Sequence, residues 1–383
     1  MRPILFAFVF AVAVQGGCSG AKPPQGPAQH DAPPPASPSA VRAVPFATGL
    51  QHPWGLVFLP DGRMLVTERP GRVRYVSAIG ALSAPLQGAP EVVAQSQGGL
   101  LDIALAPDFA SSKLIYLSYF AKLPGGEGIV VARAKLTETA LENLQVIFRA
   151  RPAKNGELNL GARLLFGPDG KLYVTIGDRF SPREVAQDLG SDLGKTLRLN
   201  PDGSIPPDNP FVNKPGALPE IYNLGHRNQQ AMAIKPGTNE IWTIEHGPRG
   251  GDEVNIEGPG KNYGWPVITY GIDYSGLPIS NKAAAPGMEQ PLYYWNPSIA
   301  PSGMAFYTGD KFPNWKGDLF VGALAGQALH RLHWENGKIA NEEVLFRESV
   351  GERIRDVRQG PDGHLYLLTD EDKGRILRVE AAR

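Results

Sequence analysis

Arg163 to Asp178 reads RLLFGPDGKLYVTIGD, an apolar strand, a Pro-Asp-Gly turn and a second apolar strand. Glycine past the turn corner and proline before it are the residues such a hairpin needs. Working outward, five more segments carry the same pattern: GLVFLPDGRMLVTE from Gly55, LDIALAPDFASSKLIYLSY from Leu101, MAIKPGTNEIWTIEHG from Met232, MAFYTGDKFPNWKGDLFVGAL from Met304 and DVRQGPDGHLYLLTD from Asp356. Their turn anchors, Pro60, Pro107, Pro168, Pro236, Thr308 and Pro361, are spaced 47, 61, 68, 72 and 53 residues apart. Each interval holds one four-stranded antiparallel sheet with its loops, so the chain reads as all-β, a six-bladed β-propeller. A two-sheet sandwich is the rival, but it has no reason to repeat one turn at blade-length intervals.

Composition agrees. The 45 glycines and 36 prolines in 383 residues suit a chain that turns often. No stretch sustains helical periodicity; Glu184 to Leu189 is at most a turn or two. With 38 basic and 38 acidic side chains the chain is neutral, which argues against a nucleic-acid surface. The two ends suggest how the ring closes. Val41 to Thr48 has no blade of its own, and the last repeat is one strand short, so the N-terminal strand is expected to complete the final blade and remove two free edges.

Residues 1–17 read as a signal peptide: Arg2, an apolar run from Ile4 to Val14 too short to span a bilayer, then Gln15-Gly16-Gly17. Cys18, the only cysteine, follows at once and reads as a lipoprotein acylation site, although Gln15 stands where such signals usually carry leucine. Ser19 does not resemble an inner-membrane retention signal. The expected location is therefore the periplasmic side of a bacterial membrane, the outer one, with the lipid anchor as the only membrane contact. An ordinary secretory signal is the alternative. Residues 18–40, rich in proline and alanine, read as an extended tether, and 41–383 as the propeller, expected to be a monomer. One cysteine allows no intramolecular disulfide.

The repeat also places polar side chains. The approach to the strand nearest the axis carries Gln51, Gln97, Asn159, Arg227 with Asn228, Ser298, and Arg353 with Arg355. Three arginines and several amides at one structural position favour a shared planar, anionic ligand, since guanidinium forks pair with carboxylates. A second constellation is Glu245-His246-Gly247-Pro248-Arg249-Gly250-Gly251-Asp252-Glu253, followed by Asn262-Tyr263-Gly264-Trp265-Pro266. Glycine turns with inward carbonyls and hard carboxylate oxygens suit Ca²⁺, though the same composition serves ordinary solvent loops. Histidine and cysteine spacing does not suggest zinc. No dinucleotide fingerprint, P-loop or G-x-S-x-G elbow is present.

From about Leu50 to Val379 the chain resembles the soluble pyrroloquinoline-quinone (PQQ) dependent aldose sugar dehydrogenases of the glucose/sorbosone dehydrogenase family. The resemblance rests on HPWGLVFLPDGRMLVTERPGR at His52, QGGLLDIALAPDF at Gln97, GKTLRLNPDGSIPPDNPF at Gly194, GHRNQQAMA at Gly225, EHGPRGGDEVN at Glu245, NYGWPVITYGIDY at Asn262 and ERIRDV at Glu352. It implies a six-bladed propeller that oxidises an aldose at C1 to the lactone with PQQ and Ca²⁺, passing electrons to an external acceptor. It also implies roles. Gln97, Arg227, Asn228, Tyr274, Arg353 and Arg355 match PQQ-contacting positions, as does the segment Ala323-Leu324-Ala325, where relatives often carry a lysine at Ala325. Gly247 and Pro248 match carbonyls that hold the Ca²⁺ on PQQ; Glu253 and Tyr263 match a further calcium site.

The departures are specific. Relatives usually read His-Phe-Gly-Gly-Arg-Leu where this chain reads Asn159-Leu160-Gly161-Ala162-Arg163-Leu164, and that histidine is the family's general base. Asn159 has no proton acceptor that titrates near neutrality, and losing a positioned base typically costs about 10² to 10⁴ in rate. Gln229 and Ala231 replace the usual Pro and Gly. Three readings therefore stay open: a PQQ-dependent dehydrogenase, a catalytically impaired propeller that binds PQQ, a sugar or a protein partner, and a calcium-dependent lactonase-like hydrolase.

Overall fold

The computed structural model describes residue 22 and residues 24–382. The signal region and Cys18 lie outside these. Six antiparallel sheets form a closed ring, and the innermost strands are Pro53–Phe58, Leu100–Leu105, Gly161–Phe166, Gln229–Ile234, Pro301–Phe306 and Ile354–Gln359. Each touches the next around the axis, and the sixth touches the first. Five blades have four strands. The first has three, Pro53–Phe58, Met64–Glu68 and Arg72–Val76. Pro85 and Pro90 fall in the segment that would have supplied its fourth strand, where each removes a ladder donor.

Closure follows the expected route: Val41–Leu50 pairs antiparallel with Gly374–Ala381 and completes the last blade. At the repeated turns Gly62, Gly170 and Gly363 have φ of 84°, 71° and 80°, with open space around the first two. Glycine is required there by backbone conformation rather than by crowding. The expected helical fragment is the 3₁₀ turn Arg183–Gln187. Among the described residues no helix is long and apolar enough to cross a membrane.

The inner strands pack the ring through two layers. The fourth residue of each, Leu56, Ile103, Leu164, Met232, Met304 or Val357, is buried between blades. Each such side chain contributes about 1.5–3 kcal/mol relative to exposure. The third residues are Gly55, Asp102, Arg163, Ala231, Gly303 and Asp356, and they form a charged plug. Arg163 Nη1 lies 3.2 Å from both Asp102 Oδ1 and Asp356 Oδ1, and its guanidinium sits 4.0 Å above the Trp54 ring. Arg358 approaches the same carboxylates. The glycines make room: a Cβ on Gly55 would fall 2.8 Å from Asp102 Oδ1, and one on Gly303 2.4 Å from Asp356 Cα.

The stretch expected to be a solvated tether is, from Gly26 to Ser39, laid against the fourth and fifth blades. Gln29 bridges in parallel with Tyr293 of the fourth blade's outer strand, and its Oε1 accepts the Ile339 N–H of the fifth blade at 2.9 Å. The Ala32 N–H donates to the Tyr293 hydroxyl at 3.0 Å, the Glu342 N–H donates to Pro33 O, and the Ser39 hydroxyl takes the Trp315 indole N–H at 3.0 Å. Proline-rich chain has few donors of its own, so the carbonyls it leaves free are met by the outer strands of two blades.

Candidate cofactor and metal site

The inner strands begin at one end of the channel, and the residues just before them surround a cavity of about 220 Å³. Its polar lining includes Gln97, Gln230, His246, Arg353 and Arg355; Trp54, Leu101, Leu160 and Leu324 supply the apolar part. Arg355 Nη2 pairs with Asp370 at 2.5 Å and its Nη1 donates to Gln230 Oε1 at 3.2 Å, while its buried Nε has no partner. Arg353 is 43% exposed and lies 3.9 Å from the same aspartate. Burial opposes ionisation of Asp370, but Arg355 and Arg69 hold its carboxyl far below the usual range. Two guanidiniums therefore face the cavity on one carboxylate, with donors to spare for an anionic ligand.

Gln97 turns its Oε1 to the Asn159 N–H at 2.9 Å, which leaves its amide NH₂ as donor. Asn228 accepts from the Gly161 N–H at 3.0 Å and from Gln230 Nε2 at 2.9 Å, and so fixes the wall between two blades. His246 also lines the cavity. Its ring nitrogen Nε2 lies 2.8 Å from Pro301 O, so that nitrogen carries the hydrogen. Burial, then the charges of Arg227 and Arg355, push its pKa down to about 3, and the imidazole stays neutral.

Arg227 is buried, 5% exposed. It donates to Gly247 O at 2.6 Å, to His246 O at 3.2 Å and to the Tyr274 hydroxyl at 3.3 Å. Tyr274 is 59% exposed and stacks on Phe180 with centroids 6.4 Å apart. Asn159 is 4% exposed and donates its side-chain amide to Asp178 at 2.8 Å. Asp178 also takes the Phe180 N–H at 2.7 Å and the Trp265 indole N–H at 2.7 Å. Burial raises the Asp178 pKa, and Arg227 with these donors pulls it back.

Not every residue at the repeated position converges. Gln51 is exposed and accepts from Arg72. Ser298 donates to Asp252 at 2.7 Å and serves that carboxylate. Ala323 is buried in a strand pair with Pro301, Leu324 lines the cavity, and Ala325 lines an open groove with Pro248 and Tyr274. Sequence reasoning missed Asp178, His246, Arg69, Asp370 and Gln230. Asp178 closes the first repeat quoted above, directly after the strand, but nothing in its spacing marks it.

Three of the four residues expected at the two calcium sites, Gly247, Glu253 and Tyr263, line a second cavity of about 10 Å³, close to the size of one water or ion. Glu245, Gly247, Gly251, Glu253 and Tyr263 line it. Asn255 Nδ2 reaches Glu245 Oε1 at 3.3 Å and Glu253 Oε2 at 3.2 Å. Burial and then the neighbouring Glu245 charge raise the Glu253 pKa well above its ordinary value. Two carboxylates pressed together in that way fit a hard divalent cation. A Cβ on Gly247 would fall 2.3 Å from the carbonyls of Gly250 and Gly251, so the cradle admits only glycine. Gly247 O itself points at Arg227, and Pro248 faces the groove. The Tyr263 hydroxyl is turned away to Ile256 O. Among the described residues no three His, Cys, Asp or Glu side chains cluster as a metal site, so a cation here would depend on backbone oxygens as well.

A six-bladed ring with an arginine-lined cavity at one end of its channel defines a propeller that can take an anionic ligand at that end. The sequence profile of the glucose/sorbosone dehydrogenase family matches residues 50–378, and the chain belongs to that family. It is 45% identical over 350 residues to the aldose sugar dehydrogenase YliI of Escherichia coli, covering 90% of this chain and 94% of that one. It is 29% identical over 407 residues to quinoprotein glucose dehydrogenase B of Acinetobacter calcoaceticus, covering 84% of each. The PQQ-bound aldose sugar dehydrogenase of Streptomyces coelicolor superposes with a TM-score of 0.74 at 31% identity, covering 91% of this chain and all of that one, 100%.

Proposed function

We propose that this chain oxidises aldoses at C1 to lactones using PQQ and Ca²⁺, and delivers the electrons to an external acceptor. The observation that carries the reading is the pair Arg353 and Arg355 beside the 220 Å³ cavity, with Arg355 Nε unpartnered. Bound there, PQQ supplies a hydride-accepting quinone and Ca²⁺ a Lewis acid on it. Arg353 and Arg355 would pair with carboxylates of the cofactor, and the Gln97 amide would donate to an oxygen on its edge. Arg227, already held by Gly247 O and Tyr274, would stabilise negative charge that develops on the bound cofactor. Glu245 and Glu253 would hold a cation beside Gly247.

The proton of the C1 hydroxyl needs an acceptor, and Asn159 supplies none. Its side-chain amide donates one hydrogen to Asp178, whose carboxylate already takes two other donors. Turnover then depends on hydroxide or a group outside this pair. This substitution is also what favours a second reading, a propeller that binds PQQ or a sugar without efficient catalysis. The purified protein mixed with PQQ and Ca²⁺, and then with an aldose, separates them: bleaching of the oxidised cofactor supports the dehydrogenase, binding without bleaching supports the impaired propeller, and absence of binding sinks both. We also place the protein on the periplasmic side of the outer membrane through an acylated Cys18; Cys18→Ala should release it, and a wild-type protein without acyl label would refute the anchor.

A further inference from the structure

Seven large apolar side chains are more than a third exposed among the described residues, and three of them, Val267 at 41%, Tyr274 at 59% and Leu277 at 66%, share one loop. A fourth, Phe180 at 41%, stacks on Tyr274. The loop is well held. The Asp273 N–H donates to Leu277 O at 2.9 Å, the Ser280 hydroxyl to Val267 O at 2.5 Å, and the Thr269 N–H to Lys282 O at 3.1 Å. Arg183 on the Phe180 segment pairs with Asp273 at 2.8 Å and ties the two parts of the patch together. Exposed apolar patches on an ordered surface mark a contact site.

The N-terminal strap leads to this same loop. The Ala28 N–H donates to the Tyr270 hydroxyl at 3.2 Å, and Gly26 packs so closely that a Cβ there would fall 2.7 Å from Ala283 Cβ and 2.8 Å from that hydroxyl. Gly26 stands eight residues after Cys18. Eight residues reach at most roughly 26–29 Å when fully extended. A lipid on Cys18 therefore keeps Gly26, and the loop it packs against, within that distance of the bilayer.

We propose that the face formed by Val267, Tyr274, Leu277 and Phe180 rests in the headgroup boundary of a lipid bilayer. The inference rests on the reading of Cys18 as acylated. Leucine and valine enter the acyl boundary, tyrosine keeps its hydroxyl at the polar level, and exposed Lys282 and Arg249 lie among anionic headgroups. A flexible lipid anchor fixes distance from the bilayer but not orientation, and an apolar contact on the folded ring supplies the orientation.

The test uses the full chain, acylated in cells and reconstituted into phosphatidylethanolamine/phosphatidylglycerol vesicles, with Leu277→Cys as the free thiol for a solvatochromic dye. Ile79→Cys on the first blade, where Ile79 is 88% exposed, is the control. The dye at position 277 should shift to the blue in vesicles relative to the same protein made soluble by Cys18→Ala, and the dye at position 79 should not. A dye at 277 that reports water in the acylated, vesicle-bound protein overturns the lipid face and leaves the anchor standing. A blue shift that grows with protein concentration without vesicles overturns it in favour of self-association. An unmodified Cys18 in the mass spectrum of the N-terminal peptide overturns the anchor and the inference with it.

Discussion

Asn159 and Asp178 are joined by a hydrogen bond of 2.8 Å, from the side-chain amide of the one to the carboxylate of the other, at the edge of the arginine-lined cavity. The carboxylate is thus already in position to orient a ring N–H placed where the amide now sits. What the pair lacks is a nitrogen lone pair that can take a proton.

Asn159→His should therefore raise kcat by on the order of 10² to 10⁴, the contribution of a positioned general base. PQQ affinity should hardly move, because such a base acts in the transition state. The wild-type rate should climb with pH as hydroxide substitutes. Steady-state rates and PQQ titration of the two proteins check this; ordinary dehydrogenase rates in the wild type with no gain in the variant would show that another group is the base.

Arg355→Ala should weaken PQQ binding about ten- to a hundredfold, since a charge-assisted hydrogen bond contributes roughly 1.5–3 kcal/mol. The loss should shrink as salt rises for Arg353, which is 43% exposed, and persist for buried Arg355. Equal salt dependence for both would argue against the placement of the cofactor in this cavity.

Glu253→Gln should abolish any stabilisation of the protein by Ca²⁺. In the metal-free protein the same change relieves the repulsion from Glu245, so thermal stability without Ca²⁺ should hold or rise. Melting curves with Ca²⁺ and with chelator give both numbers, and an unchanged response to Ca²⁺ in the variant would remove Glu253 from the site.

Asp192 gives a pH prediction. Burial and then the charge of Glu220 raise its pKa to about 8, and both residues keep a buried oxygen without a partner. A carboxyl whose folded pKa is raised favours the folded state most below its unfolded pKa, about 3.9, and loses that contribution as pH climbs to about 8. Asp192→Asn should flatten the fall in stability between these limits. A slope identical to wild type would show that Asp192 does not carry it.

Deleting the chain through Ser39 should lower Tm by several degrees. The strap bonds Tyr293, Ile339, Glu342 and Trp315 on two blades, and each such bond contributes about 0.5–1.5 kcal/mol. A truncated protein that melts with the intact one would mean that these contacts are not maintained in solution.

The blades were legible because each turn is local chemistry: proline presets one φ and glycine supplies the other, so Pro168 to Gly170 announces its hairpin without reference to the rest of the chain. Closure by Val41–Leu50 was legible from a missing strand. Arg353, Arg355 and Gln97 could be placed because the repeat fixes their register against the turns. The strap could not, since its contacts to Tyr293 and Ile339 span more than 250 residues and its composition carries no periodicity. Asp178 and His246 depend on long-range partners, Trp265 for the one and Pro301 for the other. The plug did leave a trace, aspartates and an arginine in otherwise apolar strands facing glycines at the same repeat position.

That plug ties three blades through one side chain: Arg163 of the third holds Asp102 of the second and Asp356 of the sixth. Replacing Arg163 alone would leave two buried carboxylates on the axis with only Arg358 near them, a change that typically costs about 3–5 kcal/mol. Blades locked together at the centre should open as one cooperative unit rather than peel away singly.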